Sequence, residues 1–383
     1  APANHSENYF AKNLLSILDE SVKMRLMSEV PLGAYLSGGV DSAAVVSLMA
    51  KNSSRAVKTF SVGFGVEKYD ELQFAKETSD AFSTDHQELI VSPNSIKELP
   101  KIIWHLDEPM ADPTVIPTFL LSKFAKRKVT VVLTGEGGDE LFGGYEQYKI
   151  MQIAYKYAKP IPQVLRKHLL AKAPKYIPKG ILDKLFKYSS SLGKKGIERY
   201  SEFISDLSSP EKSYFDLIHI LSQEERTALY LENGHLTAND ASKIPAAKIF
   251  QNPDLLSSMQ LFGIKTELND DLLMKVDKMT MAYSIEARAP LLDARLAEFA
   301  FTIPSHLKIK GGVEKYILRK ALKGTLPQNV LNRKKARFFV PLDYWFSGDL
   351  KSIAQNLLLE NDRKLFNKSE ISKIISNYSH SKT

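Results

Sequence analysis

The apolar run Leu32–Leu36 ends in Ser37-Gly38-Gly39-Val40-Asp41-Ser42, and an Ala/Val-rich helical stretch follows to about Ala50. A strand that stops at a glycine turn and re-enters a helix belongs to α/β architecture, where such turns meet ligands at strand ends. Two adjacent glycines let the backbone fold closely around an anion and expose its N–H groups. Ser37 and Ser42 add hydroxyl donors, and the helix N-terminus adds partial positive charge. The segment starts like a P-loop, Gly33-x-x-x-x-Gly38, but Gly39 and Val40 stand where Lys and Ser/Thr would be. A cradle without that lysine is not built for ordinary γ-phosphoryl transfer. Asp41, a carboxylate beside the cradle, suits a Mg²⁺ bridging phosphate oxygens. The bland alternative is a corner whose glycines serve packing alone.

Other short apolar runs alternate with helical patterns. An amphipathic N-terminal helix carries Phe10, Leu14, Leu18 and Val22 on one face. Lys58–Phe64 precedes a helix around Glu71–Phe82, then come His86–Val91, helical patterns to about Arg127, and Val129–Leu133. Strands separated by helices predict a doubly wound parallel sheet. A second loop follows the last of these runs, Leu133-Thr134-Gly135-Glu136-Gly137-Gly138-Asp139-Glu140-Leu141-Phe142-Gly143-Gly144-Tyr145. Five glycines and three carboxylates between Gly135 and Tyr145 make poor core and suit a loop around a charged ligand. A surface turn leading into a capped helix is the alternative if this loop is taken alone.

Length and composition set the remaining bounds. At about 150 residues per domain, 383 residues suggest two or three packing units. We expect a boundary near residue 150, with 1–150 an α/β core and 151–383 mainly helical. Strand signals stop at about Met151, and Pro160, Pro162, Pro174 and Pro178 break the helical patterns beyond it. The chain has no cysteine, which excludes disulfides, thiolate metal sites and cysteine nucleophiles. No apolar stretch approaches the roughly 18 residues of a membrane span, and with no charged-then-apolar leader the expected location is the cytoplasm. The net charge is +8. Lys156 to Arg199 holds twelve Lys and Arg against the acids Asp183 and Glu198. With no base-stacking pattern or recognisable nucleic-acid module this reads as a solvated helical surface, and neither nucleic acid nor membrane is expected as a partner. His86 and His105 match no metal-ligand spacing and read as structural. Sequons at Asn52, Asn367 and Asn377 read as chance.

The two glycine loops together resemble the pyrophosphate-loop ATP pyrophosphatases, and specifically the synthetase domain of the asparagine synthetase family. The resemblance runs from about Glu29 to Leu342. It includes Asp107-Glu108-Pro109 with Asp112-Pro113 and Asp270-Asp271-Leu272-Leu273-x-Lys275-x-Asp277-Lys278-Met279. Ser284-Ile285-Glu286-Ala287-Arg288-Ala289-Pro290-Leu291-Leu292-Asp293 and Glu314-Lys315-Tyr316-Ile317-Leu318-Arg319 come after them in the same order.

The resemblance implies an adenine-nucleotide α-hydrolase-like fold and an AMP-forming activation with ATP and Mg²⁺. A carboxylate, most simply that of aspartate, attacks the α-phosphate, pyrophosphate leaves, and ammonia displaces AMP to form the amide. It implies that Ser37, Gly38, Gly39, Asp41 and Ser42 hold pyrophosphate, with Mg²⁺ on Asp41 and Asp139. Leu36, Val62, Thr134 and Gly135 would line the nucleotide pocket. Glu136 would be the base that deprotonates the attacking amine, and Lys315 would neutralise charge on the phosphates. From the residues alone, Lys315 also reads as a surface lysine and Glu136 as an acid at a helix N-terminus.

The acidic helical segment has its own reading, with Leu268, Leu272, Val276 and Met279 on one face and Asp271–Lys275 as an i,i+4 pair. Glu286, Arg288 and Asp293 read as a buried ion network or as substrate ligands. Family members with a glutaminase domain carry about 200 more residues, opening on a catalytic cysteine. This chain opens Ala1-Pro2-Ala3, so the expectation is an excised synthetase domain or a stand-alone enzyme fed by ammonia or by a partner glutaminase, with a homodimer open. Lys335-Ala336-Arg337-Phe338-Phe339-Val340-Pro341 departs from the family's Lys-x-Gly-Phe-Gly-Val-Pro, with Arg337 and Phe339 in place of glycines. That departure supports a rival acceptor carboxylate, as in β-lactam or lasso-peptide synthetases. A tRNA-modifying enzyme of the same nucleotide fold is the rival from another class.

Overall fold

The computed structural model describes residues 5–66, 69–172, 193–231, 246–333, 339–345, 349–360 and 365–380. By contacts the chain divides into two units, Ala1–Gly144 with Gly263–Pro341 and Tyr145–Phe262 with Leu342–Thr383.

The first unit opens with α1 (Glu7–Arg25), whose Ser6 side chain caps the Tyr9 N–H at 3.2 Å. Phe10, Leu14, Leu18 and Val22 of α1 are buried, as their i+4 spacing predicts. Next come β1 (Leu32–Tyr35), α2 (Val40–Lys51), β2 (Lys58–Gly63), α3 (Leu72–Ala81), β3 (Asp85–Ile90), α4 (Leu99–Leu106), α5 (Val115–Ala125), β4 (Val131–Leu133) and α6 (Gly138–Phe142). The chain returns through a wide-turned helix, Ile264–Leu273, to α7 (Met274–Met281), β5 (Glu286–Arg288), α8 (Ala294–Thr302), α9 (Tyr316–Ala321) and α10 (Gln328–Asn332).

All five strands are parallel, in the order β3-β2-β1-β4-β5. Side chains alternate across this sheet. Ala34, Val131 and Leu133 enter a core with α1, α2, α8 and α9, and Val132 and Phe60 enter a second core with Leu121 and Ala125 of α5. Both faces are covered, which is why the central strands Leu32–Tyr35 and Val131–Leu133 read as unbroken apolar runs.

The sequence places four strands and ends strand structure at about Met151. The fifth, Glu286–Arg288, corrects that expectation. It is a three-residue edge strand with a charged residue at each end, so it shows no apolar run. The expected boundary at 150 likewise captures only the chain's first departure, since residues 263–341 come back to complete the sheet. In the second unit, taken by itself, Tyr214 has its ring centroid 6.4 Å from Tyr148, 5.7 Å from Phe250 and 6.1 Å from Phe262. About half of the basic stretch Lys156 to Arg199 lies outside the described residues.

Candidate active site

The order of the strands fixes where a ligand can sit. From β1 the chain steps outward through β2 to β3, then crosses to β4 on the other side of β1. Connections leaving β1 and β4 therefore part in opposite directions, opening a crevice at the C-terminal ends of these two strands. The two glycine loops leave from those ends.

In the first loop the serines are tied to each other. The Ser37 and Ser42 hydroxyls are 2.9 Å apart, the Ser37 N–H donates to Ser42 Oγ at 3.1 Å, and the Gly39 N–H donates to Ser37 Oγ at 3.2 Å. Gly39 is the N-cap of α2 and supplies no side chain, so that N-terminus is uncapped by its own cap residue. Asp41 lies in the first turn of α2. Leu36 is buried in the α1–α2 core while Val62 packs against the α5 core. The Leu36 N–H and carbonyl are also engaged, by the Phe60 carbonyl and the Ser61 hydroxyl.

The second loop approaches the first closely. A Cβ on Gly135 would come within 2.8 Å of the Ser42 backbone nitrogen. Thr134, just before it, is 4% exposed, and its hydroxyl is buried with no hydrogen-bond partner among the described residues. An orphan hydroxyl at this crevice is a donor and acceptor waiting for a ligand or water. Asp139 sits in the first turn of α6.

Lys315 joins the loops. It is the N-cap of α9, in the left-handed region at φ 54°, and its side chain is buried. Its ammonium pairs with Asp41 Oδ2 and lies 2.7 Å from Asp139 Oδ1. Burial alone would lower its pKa, but Asp139 and Asp41 together raise it well above the ordinary lysine value. A Cβ on Gly144 would collide with both the Asp139 carboxylate and the Lys315 side chain, so this glycine makes room for the pair. The surface reading of Lys315 is thereby excluded.

Two carboxylates converging on one cation position are the donor set of a hard metal ion. No group of three or more His, Cys, Asp or Glu forms a metal cluster among the described residues. The donor chemistry of two carboxylates is compatible with an ion such as Mg²⁺, which takes few ligands from protein and most of its oxygens from phosphate and water.

Glu136 lies among further charges. Burial raises its pKa, Lys275 opposes the rise, and the carboxylates of Asp139, Asp41 and Asp112 add to it. Lys275 of α7 does not bond Asp271 as its i,i+4 spacing suggests. It bonds Asp112, whose carboxylate also accepts from the Thr114 N–H and hydroxyl at 2.8 Å each. Burial would raise the Asp112 pKa, but Lys275 and Thr114 hold it below the usual value. Asp271 keeps a buried oxygen with no hydrogen-bond partner among the described residues, and burial raises its pKa. One turn along α7, Lys278 pairs with Asp107, itself left-handed at φ 63° at the end of α4. The Asp-Glu-Pro and Asp-Pro motifs are thus docked on α7 by two lysines.

Glu286, Arg288 and Asp293 are not one buried network. Glu286 is exposed and pairs with Arg288, while Asp293 pairs with Arg25 at 3.0 Å and with Arg295 at 3.1 Å. His86 bonds the Thr59 hydroxyl at 2.9 Å, and the His105 ring packs against Trp104 and Phe119, consistent with structural roles. Arg337 lies outside the described residues, and Phe339 is exposed. Sequence reasoning missed Arg333, whose guanidinium donates to the Gly38 carbonyl in the first glycine loop. No local motif marks it.

No helix among the described residues is long and apolar enough to cross a membrane. The family model described as asparagine synthase matches residues 13–383. The chain is 37% identical to the glutamine-hydrolyzing asparagine synthetase 1 of Bacillus subtilis (strain 168), over 94% of this chain and 54% of that protein. It is 25% identical to asparagine synthetase 3 of the same organism, over 85% and 48% respectively. The chain therefore spans about half the length of these curated relatives. Among solved structures, the NMN synthetase of Francisella tularensis is 18% identical with a TM-score of 0.26, covering 38% of this chain and 60% of that one. The loops at the ends of β1 and β4, the lysine between them and the family match converge on one assignment: the chain belongs to the asparagine synthase family.

Proposed function

We propose that this chain carries the ATP-dependent, amide-forming half of an asparagine synthetase, acting on aspartate with ammonia. The observation that carries the reading is the convergence of Asp41 and Asp139, one from each glycine loop, on the buried ammonium of Lys315. The aspartate side-chain carboxylate attacks the α-phosphorus of ATP, and the bond to the β-phosphate oxygen breaks to release pyrophosphate. Ser37, Gly38, Gly39 and Ser42 hold that leaving group through backbone N–H groups, hydroxyls and the start of α2. The Thr134 hydroxyl and the Gly135 backbone border the nucleotide.

Lys315 lies within reach of the phosphates, where a fixed cation stabilises charge that builds as pyrophosphate departs. Bound Mg²⁺ would screen the same charge from Asp41 and Asp139. Ammonia then attacks the acyl carbon of the adenylate, a proton passes from the attacking nitrogen to Glu136, and the C–O bond to AMP breaks. A carboxylate whose pKa lies above its ordinary value is a better proton acceptor, which suits Glu136 to this step.

The test is a product analysis. The protein is incubated with ATP, Mg²⁺, ammonium and a panel of amino acids, and both the nucleotide and the amide are identified by mass spectrometry. The reading expects AMP, pyrophosphate and asparagine. ADP with inorganic phosphate would refute the assignment of the first loop, and an amide of another acid would refute the acceptor.

A further inference from the structure

The first glycine loop is held from outside by a residue that lies 295 positions away in sequence. Arg333, just beyond α10, points its guanidinium at the Gly38 carbonyl. Its second nitrogen lies 3.1 Å from Glu71 Oε1, and its central carbon sits 3.6 Å from the centroid of the Phe74 ring. Both partners belong to the start of α3, where the Glu71 carbonyl accepts from the Phe74 and Ala75 N–H groups. The ion pair is largely shielded, with side-chain exposures of 13% and 12%. A Cβ on Gly38 would collide with the guanidinium, so this glycine admits the arginine. Arg319 joins the same assembly to the Lys315 segment, donating to the carbonyls of Glu314 and Leu331.

The Gly38 carbonyl and the Gly39 N–H belong to one planar peptide and point in opposite directions. With glycine on both sides, the backbone itself tolerates either orientation of that peptide. Flipped, it would present a carbonyl oxygen, rather than an N–H, on the side of the Ser37 and Ser42 hydroxyls. Arg333 binds the carbonyl on the far side and so keeps the Gly39 N–H facing Ser37 Oγ. A guanidinium suits this task because it can donate to a carbonyl and a carboxylate at once while stacking on a ring.

We propose that Arg333 is a positioning residue for pyrophosphate: it locks the Gly38–Gly39 peptide with its N–H toward the anion. The proposal rests on the reading of Ser37–Ser42 as the pyrophosphate cradle.

Binding of inorganic pyrophosphate and of AMP, each with Mg²⁺, is measured by calorimetry on the full chain and its variants. Arg333→Met should weaken pyrophosphate binding at least tenfold and change AMP binding less than twofold. Arg333→Lys, able to reach the carbonyl but not to bridge it to Glu71 and Phe74, should recover part of the loss. Ser42→Ala serves as the control on the cradle. If Ser42→Ala weakens pyrophosphate binding but Arg333→Met does not, the role of Arg333 is refuted and the cradle stands. If Arg333→Met weakens AMP and pyrophosphate equally, the arginine is a general structural prop and the proposal fails. If wild-type protein does not bind pyrophosphate, or Ser42→Ala leaves binding unchanged, the cradle reading fails and takes the proposal with it.

Discussion

Replacing Lys315 by methionine removes one charge and leaves two carboxylates facing each other. The Lys315 side chain is 4% exposed, and its partners Asp41 and Asp139 are 15% and 22% exposed. Removing one partner from a buried ion pair typically destabilises by about 3–5 kcal/mol, because the remaining charge loses its compensation. For a unit of roughly 200 residues each kcal/mol corresponds to about 2–4 °C, so Lys315→Met should melt on the order of 10 °C below wild type at pH 8. Two features separate electrostatics from lost packing. With the Lys315 ammonium gone, both carboxylates take up protons more readily, so the deficit should shrink as the pH falls from 8 toward 5. Mg²⁺ should also stabilise the variant more than wild type, where Lys315 already occupies the cation position. At a hundredfold excess over its dissociation constant, an ion binding only the folded state contributes about 2.7 kcal/mol. Thermal unfolding over that pH range, with and without Mg²⁺, supplies the measurement. A deficit indifferent to both would refute the view that Asp41 and Asp139 form a cation site.

Glu136→Gln should lower amide formation at least tenfold, a barrier increase of about 1.4 kcal/mol, while acyl-adenylate still forms; rapid-quench analysis of both products decides it, and equal losses would assign Glu136 to nucleotide or metal binding instead. Gly144→Ala forces a methyl group against Asp139 and Lys315. Overpacking of this kind destabilises by about 1–3 kcal/mol, and here activity should fall more than tenfold, with a wild-type rate arguing against the close approach. Glu7, bonded by Lys310, Lys320 and Tyr316, has its pKa lowered to about 2. Its contribution to stability is full above the unfolded carboxylate pKa and is lost as the pH falls through about 2, so Glu7→Gln should flatten the loss of denaturant stability between pH 5 and pH 2.

Features that repeat along a short stretch were legible in the sequence. The runs feeding β1, β2 and β4 are apolar because both sheet faces are covered, and the two loops stand out because close backbone approach requires glycine. Features made by distant partners were not legible. Lys275 reads as the i,i+4 partner of Asp271 when only its helix is considered, yet it bonds Asp112, 163 positions away. The family resemblance implies Leu36 at the nucleotide, but no local pattern says that its side chain is buried among α1 and α2. A lone arginine at 333 carries no pattern, and β5 is too short and too charged for a periodicity to show.

The return of residues 263–341 to the first unit bears on how such a chain is made. During synthesis the segments forming β1 to β4 and both glycine loops leave the ribosome well before Lys315, which lies 274 positions beyond Asp41. Until it arrives, Asp41 and Asp139 lack the Lys315 ammonium, and the outer side of β4 awaits Glu286–Arg288. Domains usually fold as units during synthesis. This one is completed only after the intervening residues 145–262 have been made, and a nascent chain stalled before residue 263 holds both halves of its phosphate cradle on an unfinished sheet.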